Sequence, residues 1–492
     1  MLSVAIFVPL VAAAALLGAR RLTERSTRRL ALAVSAVPMV VMVVAWTRFD
    51  GAGGFELVES VPWIPSLGVG YKVGVDGVSL PLAAMTALLF SVSIAYPVDL
   101  RGRARQYFSA MLFLEAISLG VFLALDLFLF YVFFDLSLVG MYFLIAVWGH
   151  GDSQRSALKF FLYTLAGSLA MLLAILGIYL ASAPRTFDMA ELIRQQPLTG
   201  GGLRAGLVFL GFVVGLGVKT PIVPFHTWLP PAHVDAPAPA SAILAGVLLK
   251  MGTYGFVRIL LSMMPDTFAR FAVPVAIVAA LSIVYGALVA LAQTNLKRLV
   301  AYSSINHMGY VILGVAVAAA GRGDDVGAAA LALDGATLEM VAHGLITGAL
   351  FLLAGSVWNR GETYEIGELG GLAARAPAMT AAVVVAAFAS LGLPGLAGFV
   401  AEFHVFAGTF AIYPALAAVA LVGLVISAAL FLRMVQRAFL GPLPERWSSW
   451  PDLSRTEVAA LVPVLVLVIV IGVAPAWVLD VIDATASQLV SP

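Results

Sequence analysis

Apolar residues come in runs of about 20, the length that carries an α-helix across the hydrocarbon core of a bilayer. Fourteen such runs cover most of the 492 residues. They occupy 2–18, 29–47, 77–97, 107–126, 127–148, 156–181, 205–228, 238–262, 271–293, 296–318, 327–357, 377–411, 414–438 and 456–480. The pattern predicts an all-α polytopic membrane protein. The longest polar connections (48–75, 182–204, 358–376 and 439–455) are too short to hold a soluble domain. Within them, "PRTFDMAELIRQQ" (184–196) predicts a short amphipathic helix at the membrane surface. The first run is followed, not preceded, by Arg20, Arg21, Arg25, Arg28 and Arg29. That is the reverse of a cleaved secretory signal, so it is expected to stay as a spanning helix.

Two spans are interrupted. The seventh contains "GLGVKTPIVPFHTW" (215–228), where Lys219 is followed by Pro221 and Pro224; the twelfth contains "GLPGLAG" (392–398), with Pro394. Weak self-similarity at an offset of 168 residues aligns "DLFLFYVFFDLSLVGMYFLI" from Asp126 with "TNLKRLVAYSSINHMGYVIL" from Thr294. The aligned spans are the fifth and tenth, and the interrupted spans are also five apart. A shift by an odd number of crossings inverts the second copy, as in transporters built from inverted repeats with broken helices. The expected organisation is a three-helix region (1–106), a first repeat of helices 4–8 (107–262), a second of helices 9–13 (271–438) and a last helix (456–480).

Composition agrees and narrows the chemistry. The chain is 62% hydrophobic and 11% charged, against about 25% charged in soluble proteins. Its net charge of +1 excludes a nucleic-acid partner recruited by bulk charge. With no cysteine, disulfides, thiolate-held iron–sulfur clusters and Cys-based metal sites are excluded. Any redox cofactor sits on another chain or uses histidine. Of the 28 Lys and Arg residues, eighteen fall in one set of loops, eight in the other, and Lys219 and Lys250 lie inside spans. By the positive-inside rule both termini are expected on the outer side.

Eight ionisable residues lie near the middle of spans: Glu115, Asp135, Lys219, Lys250, His307, Glu339, His343 and Glu402. At roughly 2.5–3.5 kcal/mol for a lysine or aspartate at a helix centre, they must line a protein interior, pair or stay neutral. Burial favours the neutral form of lysines and carboxylic acids alike, which lets such groups exchange protons near neutral pH. Individually, bland readings fit: a static Asp135–Lys219 ion pair, a satisfied core His307, a local Glu339–His343 bond, an interfacial Glu402, a locally paired Glu115. Their spread over seven helices favours a relay. Haem ligation asks for histidines facing across helices, whereas His150, His226, His233 and His404 lie near ends or breaks. A solute transporter would want more Ser, Thr and Asn than titratable groups.

Four stretches carry a family resemblance: "VKTPIVPFHTWLPPAHVDAPAPASAILAGVLLKMGTYGFVRI" (218–259), "QTNLKRLVAYSSINHMGY" (293–310), "MVAHGLITGALFLLAG" (340–355) and "LGLPGLAGFVAEF" (391–403). The chain resembles the antiporter-like membrane subunits of respiratory complex I, the proton-pumping NADH:quinone oxidoreductase. "MYFLIAVWGH" (141–150) and the length are similar to its M-type branch; the L-type carries a long lateral helix that nothing after residue 480 is expected to form. Related branches serve multisubunit sodium/proton antiporters and membrane-bound hydrogenases. The resemblance implies that Lys219 is the lysine of the broken seventh helix and Asp135 its carboxylate partner. It makes Lys250 the central lysine of the eighth helix, His307 and His343 intermediate groups, and Glu402 the terminal acid. It also implies partner subunits: further antiporter-like chains and hydrophilic NADH-oxidising and quinone-reducing subunits that carry flavin and iron–sulfur clusters, in a bacterial plasma membrane. Two positions depart from the family pattern. "FFDLSLVGM" has Asp135 where Glu is usual, and "LPPAH" replaces "LPDAH".

Overall fold

A computed structural model describes residues 1–19, 21–51, 53–199 and 202–491 of the protein. Arg20, one of the basic residues that orient the first loop, lies outside the described residues. Ten helices among the described residues are long and apolar enough to cross a membrane, with four shorter apolar ones beside them. In chain order the helices before the first break are α1 (Leu2–Gly18), α2 (Glu24–Arg48), α3 (Ser79–Ala95), α4 (Ala104–Leu123), α5 (Leu127–Trp148), α6 (Ser153–Tyr179) and α7 (Met189–Gln195). The last of these is the surface helix expected within 184–196.

The seventh span is not one helix. It divides into α8 (Leu203–Lys219) and α9 (Leu229–Asp235), because Pro221 and Pro224 lack the N–H groups that would continue the ladder. Next come α10 (Ala238–Leu261), α11 (Pro265–Leu291), α12 (Leu296–Gly321) and α13 (Val326–Gly361). The twelfth span divides likewise into α14 (Pro377–Ser390) and α15 (Ala397–Ile412), around Gly392 and Gly395, whose φ values of +75° and +91° suit glycine alone. The chain finishes with α16 (Pro414–Ala438), α17 (Arg455–Val473) and α18 (Ala476–Val490).

Two expectations are corrected. The chain is not all-α: the connection 48–75 forms an antiparallel hairpin, β1 (Glu56–Ile64) with β2 (Val69–Val75). Its second strand carries Val69, Tyr71, Val73 and Val75 at period two, a strand signal too short to register beside helices of 20 residues. The expected last helix, 456–480, ends at Val473, and after Pro475 its final residues belong instead to a separate 15-residue helix, α18.

The hairpin marks the face on which the first helix begins and the last ends. Glu59 there holds the Met1 ammonium group, and Gly323, after α12, donates to the carbonyl of Val490. On this face the start of α5 is knotted to the segment after α6: Leu127 N–H donates to Phe187 O (2.8 Å) and Met189 N–H to Leu125 O (2.9 Å). The start of α12 is knotted in the same way to the segment after α13. Leu296 N–H donates to Tyr364 O (2.8 Å) and Ile366 N–H to Thr294 O (2.7 Å).

Beside this second knot His150 stacks on Trp358, with ring centroids 4.6 Å apart. Burial, then the charges of Lys297 and Arg101, push the pKa of His150 down to about 4. The folded-state value lies below the unfolded one of about 6.5, so the neutral ring's contribution is complete above that pH and is lost as pH falls towards 4. Thermal unfolding of the purified protein is therefore expected to come at lower temperature as pH falls from 6.5 to 4.5. A His150→Phe chain, which keeps the stack without a titrating ring, should lose this component of the acid sensitivity.

Candidate proton-relay site

Lys219 ends α8 with its side chain buried. Its Nζ donates to Ser137 Oγ (2.9 Å) on α5 and lies 5.0 Å from the centre of the Phe134 ring, a cation–π distance. Asp135, the expected partner, is half-buried. It makes no ion pair within 4.0 Å among the described residues, and its Oδ1 has no donor. Its field still reaches Lys219. Serine thus stands in the position foreseen for the acid. Ser137 escaped the sequence reading because hydroxyls in spanning helices commonly bond to their own backbone, as this one also does to Phe134 O (2.6 Å).

The break after Lys219 is satisfied from other elements, as non-helical backbone at membrane depth must be. Val223 N–H donates to Ser282 Oγ (3.0 Å) on α11, and Trp228 Nε1–H returns to Val218 O (2.9 Å). Thr220 Oγ1 is buried without a partner, where α8 packs on Gly252, two residues beyond Lys250.

Lys250 sits in α10 between two π-helical stretches, Leu244–Leu248 and Phe256–Leu261. The first widened turn leaves the Ala245 carbonyl within reach, and Lys250 Nζ donates to it (2.7 Å). The same nitrogen lies 2.6 Å from His343 Nδ1 on α13. Two glycines permit this approach. A Cβ on Gly344 would come 2.9 Å from the Gly246 carbonyl and collide with the Met85 sulfur.

From His343 the row continues. Its ring centroid is 5.3 Å from that of His307, on α12. His307 Nδ1 lies 3.2 Å from Glu339 Oε1 and 3.6 Å from Glu402 Oε1, at ion-pair range but not aligned as hydrogen bonds. Its Nε2 pairs with Ser390 Oγ (3.1 Å). Glu339 and His343, four apart on one helix, make no local bond; each turns to a different partner. Glu402 is buried, not interfacial, with both oxygens undonated and one of them packed against Gly392. No direct contact links Lys219 to Lys250 among the described residues. Glu115 lies apart, accepting from Ser35 Oγ (2.7 Å), which itself pairs with Ser91 Oγ (3.1 Å).

The structure adds one histidine to this neighbourhood. His233 on α9 is wholly buried, stacked on Phe351 with centroids 4.5 Å apart, and neither ring nitrogen has a partner. It lies within electrostatic reach of Lys250, His343 and Lys297. Lys297 is buried too, donating to Ala236 O (2.5 Å). In the sequence, position 233 looks like a residue beside a break, because folding back after the prolines is what returns it to the row.

Spanning helices, two breaks and a buried row of ionisable side chains are the features of an ion-translocating membrane subunit. The chain belongs to the family described as NADH:quinone oxidoreductase/Mrp antiporter, whose pattern matches residues 124–427. It is 39% identical to NADH-quinone oxidoreductase subunit M of Rhodobacter capsulatus, covering 100% of this chain and 96% of that one. It is 38% identical to F(420)H(2) dehydrogenase subunit M of Methanosarcina mazei, covering 93% and 92%. Its fold matches a chain of respiratory complex I from Thermus thermophilus with a TM-score of 0.88 at 31% identity, covering 100% of both. A chain of the Mrp complex from a Dietzia species shares the fold, with a TM-score of 0.87 at 21% identity over 99% and 97%.

The glycine contact is open to test. Gly344→Ala is expected to force α10 and α13 apart at Lys250, with an overpacking cost of about 1–3 kcal/mol. The measurement is heat resistance of the solubilised subunit; unchanged resistance would show that the helices do not need this approach.

Proposed function

We propose that this chain is a proton-translocating membrane-arm subunit of an NADH:quinone oxidoreductase. It moves protons through buried side chains while partner subunits, holding flavin and iron–sulfur clusters, carry out the redox chemistry that drives it. The observation that carries this reading is the row Lys250–His343–His307–Glu339/Glu402, in which each buried group faces the next across a helix boundary. Similarity to subunits M over the whole length supports the choice of complex.

In this reading the charged form of Lys219 is stabilised by the Asp135 field and by Ser137. Weakening that field, by movement or by protonation of Asp135, sends the Lys219 proton to Lys250 through water admitted at the break; the orphaned Thr220 hydroxyl lies at the helix contact between them. Lys250 passes it to His343, His307 relays it, and Glu402 exchanges it with one side or with a neighbouring subunit. Glu339 balances charge at His307, and Glu115 forms a separate buried acid. Fourteen crossings, ten of them in two inverted five-helix repeats, 107–262 and 271–438, fit the two breaks and the two matching knots at the starts of α5 and α12. Both chain ends then lie on the outer side of a bacterial plasma membrane.

Lys219→Ala and Lys250→Ala are each expected to cut proton pumping in reconstituted vesicles by about a hundredfold or more, the scale of a lost proton-transfer group. Pumping at full stoichiometry by the Lys219→Ala complex would overturn the mechanism. The other reading is a sodium/proton antiporter subunit, and purification separates the two. NADH-reducible flavin and iron–sulfur signals co-isolating with the chain favour the oxidoreductase; sodium-dependent proton exchange without them favours the antiporter.

A further inference from the structure

On the hairpin face a cavity of about 300 Å³ opens between Phe55 before β1, the end of α10, α18, and Arg322 just after α12. Arg258 and Arg322 share its wall. Arg258 is buried, donating through Nε to Tyr254 Oη (3.0 Å) and through Nη2 to Asp76. Its Nη1 makes no hydrogen bond among the described residues. The Phe55 ring covers this guanidinium group, with its centre 4.8 Å away. Arg322 Nη1 lies 3.8 Å from exposed Asp266, beyond hydrogen-bond range, and its Nε is buried without a partner.

The rest of the wall repeats this surplus of donors. Gln488 on α18 accepts from Gly54 N–H through Oε1 (2.8 Å), which leaves its Nε2 without an acceptor among the described residues. Thr485 Oγ1 accepts from Gly77 N–H (3.0 Å), and its own proton is likewise unspent. Asp76, the carboxylate in the wall, is fully engaged. Its Oδ1 receives the N–H groups of Val78 (3.2 Å) and Ser79 (2.9 Å), and its Oδ2 receives Arg258. Ser262 gives its proton to Val257 O (2.9 Å). Gln196, after α7, adds an amide that can turn its NH2 end inward.

A buried donor without an acceptor is costly, so these groups call for a partner that brings acceptors. A cation would meet donors that are already positive. Asp76 offsets one of the two guanidinium charges, and the second is held only loosely by Asp266. An anion with several acceptor oxygens answers both the charge and the donors, and guanidinium forks match the spacing of phosphate oxygens. We propose that this cavity binds a phosphate group, carried by an anionic phospholipid headgroup at the membrane surface or by free inorganic phosphate, with Arg322, Arg258 and Gln488 as its donors. Bound there, it ties the segment before the hairpin to α10, to the end of α12 and to α18, and so stabilises this face. The site shares no residue with the row around Lys250, and its test is independent of what that row conducts.

Thermal unfolding of the full-length chain, purified in maltoside without added lipid, is followed by tryptophan fluorescence. Sodium phosphate, phosphatidylglycerol in mixed micelles and sodium chloride are compared at equal ionic strength. The midpoint is expected to rise saturably, by about 2–5 °C over the chloride control, with a phosphate source that fills the site. A rise with inorganic phosphate assigns the site to the free ion; a rise with phosphatidylglycerol alone assigns it to a headgroup. Arg322→Gln removes the loosely held charge. Gln488→Glu keeps the acceptor for Gly54 N–H and replaces an amide donor with a negative charge. Each variant, measured against its own chloride control, should lose at least half of the rise. No rise with either source in the parent chain, or an undiminished rise in either variant, would overturn the proposal.

Discussion

A lysine buried away from water must find its acceptors inside the protein, and the packing around Lys250 follows from that requirement. One acceptor comes from its own helix, where a widened turn presents the Ala245 carbonyl. The other, His343, is available only because Gly246 and Gly344 let two backbones approach. Everything further along the row depends on that approach, since His307 is reached from His343 and the two glutamates from His307. The glycines are therefore part of what brings the row together, although they carry no ionisable group.

The two broken spans answer the same demand in different ways. In the seventh, prolines stop the helix and side chains from elsewhere, Ser282 and Trp228, satisfy the freed backbone. In the twelfth, glycines in left-handed conformation turn the chain, and Glu402 rests against one of them. Each break stands beside an ionisable group, Lys219 or Glu402. A helix end offers polar backbone where a continuous helix would offer none, so charge and break form one device.

Much of this was legible in the sequence because bilayer thickness fixes helix length, and a charge inside an apolar run stands out. Lys219, Lys250, His307, His343, Glu339 and Glu402 were found that way, and five of them meet in one row. What escaped notice depends on contacts made across the fold. Ser137 looks like an ordinary hydroxyl until Lys219 is placed beside it. His233 looks peripheral until the break folds it back towards Lys250. The hairpin was missed because seven alternating residues are a faint signal among long apolar helices. Glu115 was grouped with the relay on its depth alone, and depth says nothing about azimuth around the bundle.

Azimuth is also what the π-helical stretches in α10 govern. Each residue of an α-helix advances the side-chain direction by about 100°, so one added residue turns everything beyond it to a new face. Lys250 lies between two such widenings, and Arg258, within the second, is anchored to Asp76. Deleting one residue from Leu244–Leu248 would leave composition and hydropathy almost untouched while swinging Lys250 away from His343. The buried row thus rests on a count of residues as much as on their chemistry, and substitution scans that preserve length would not detect it.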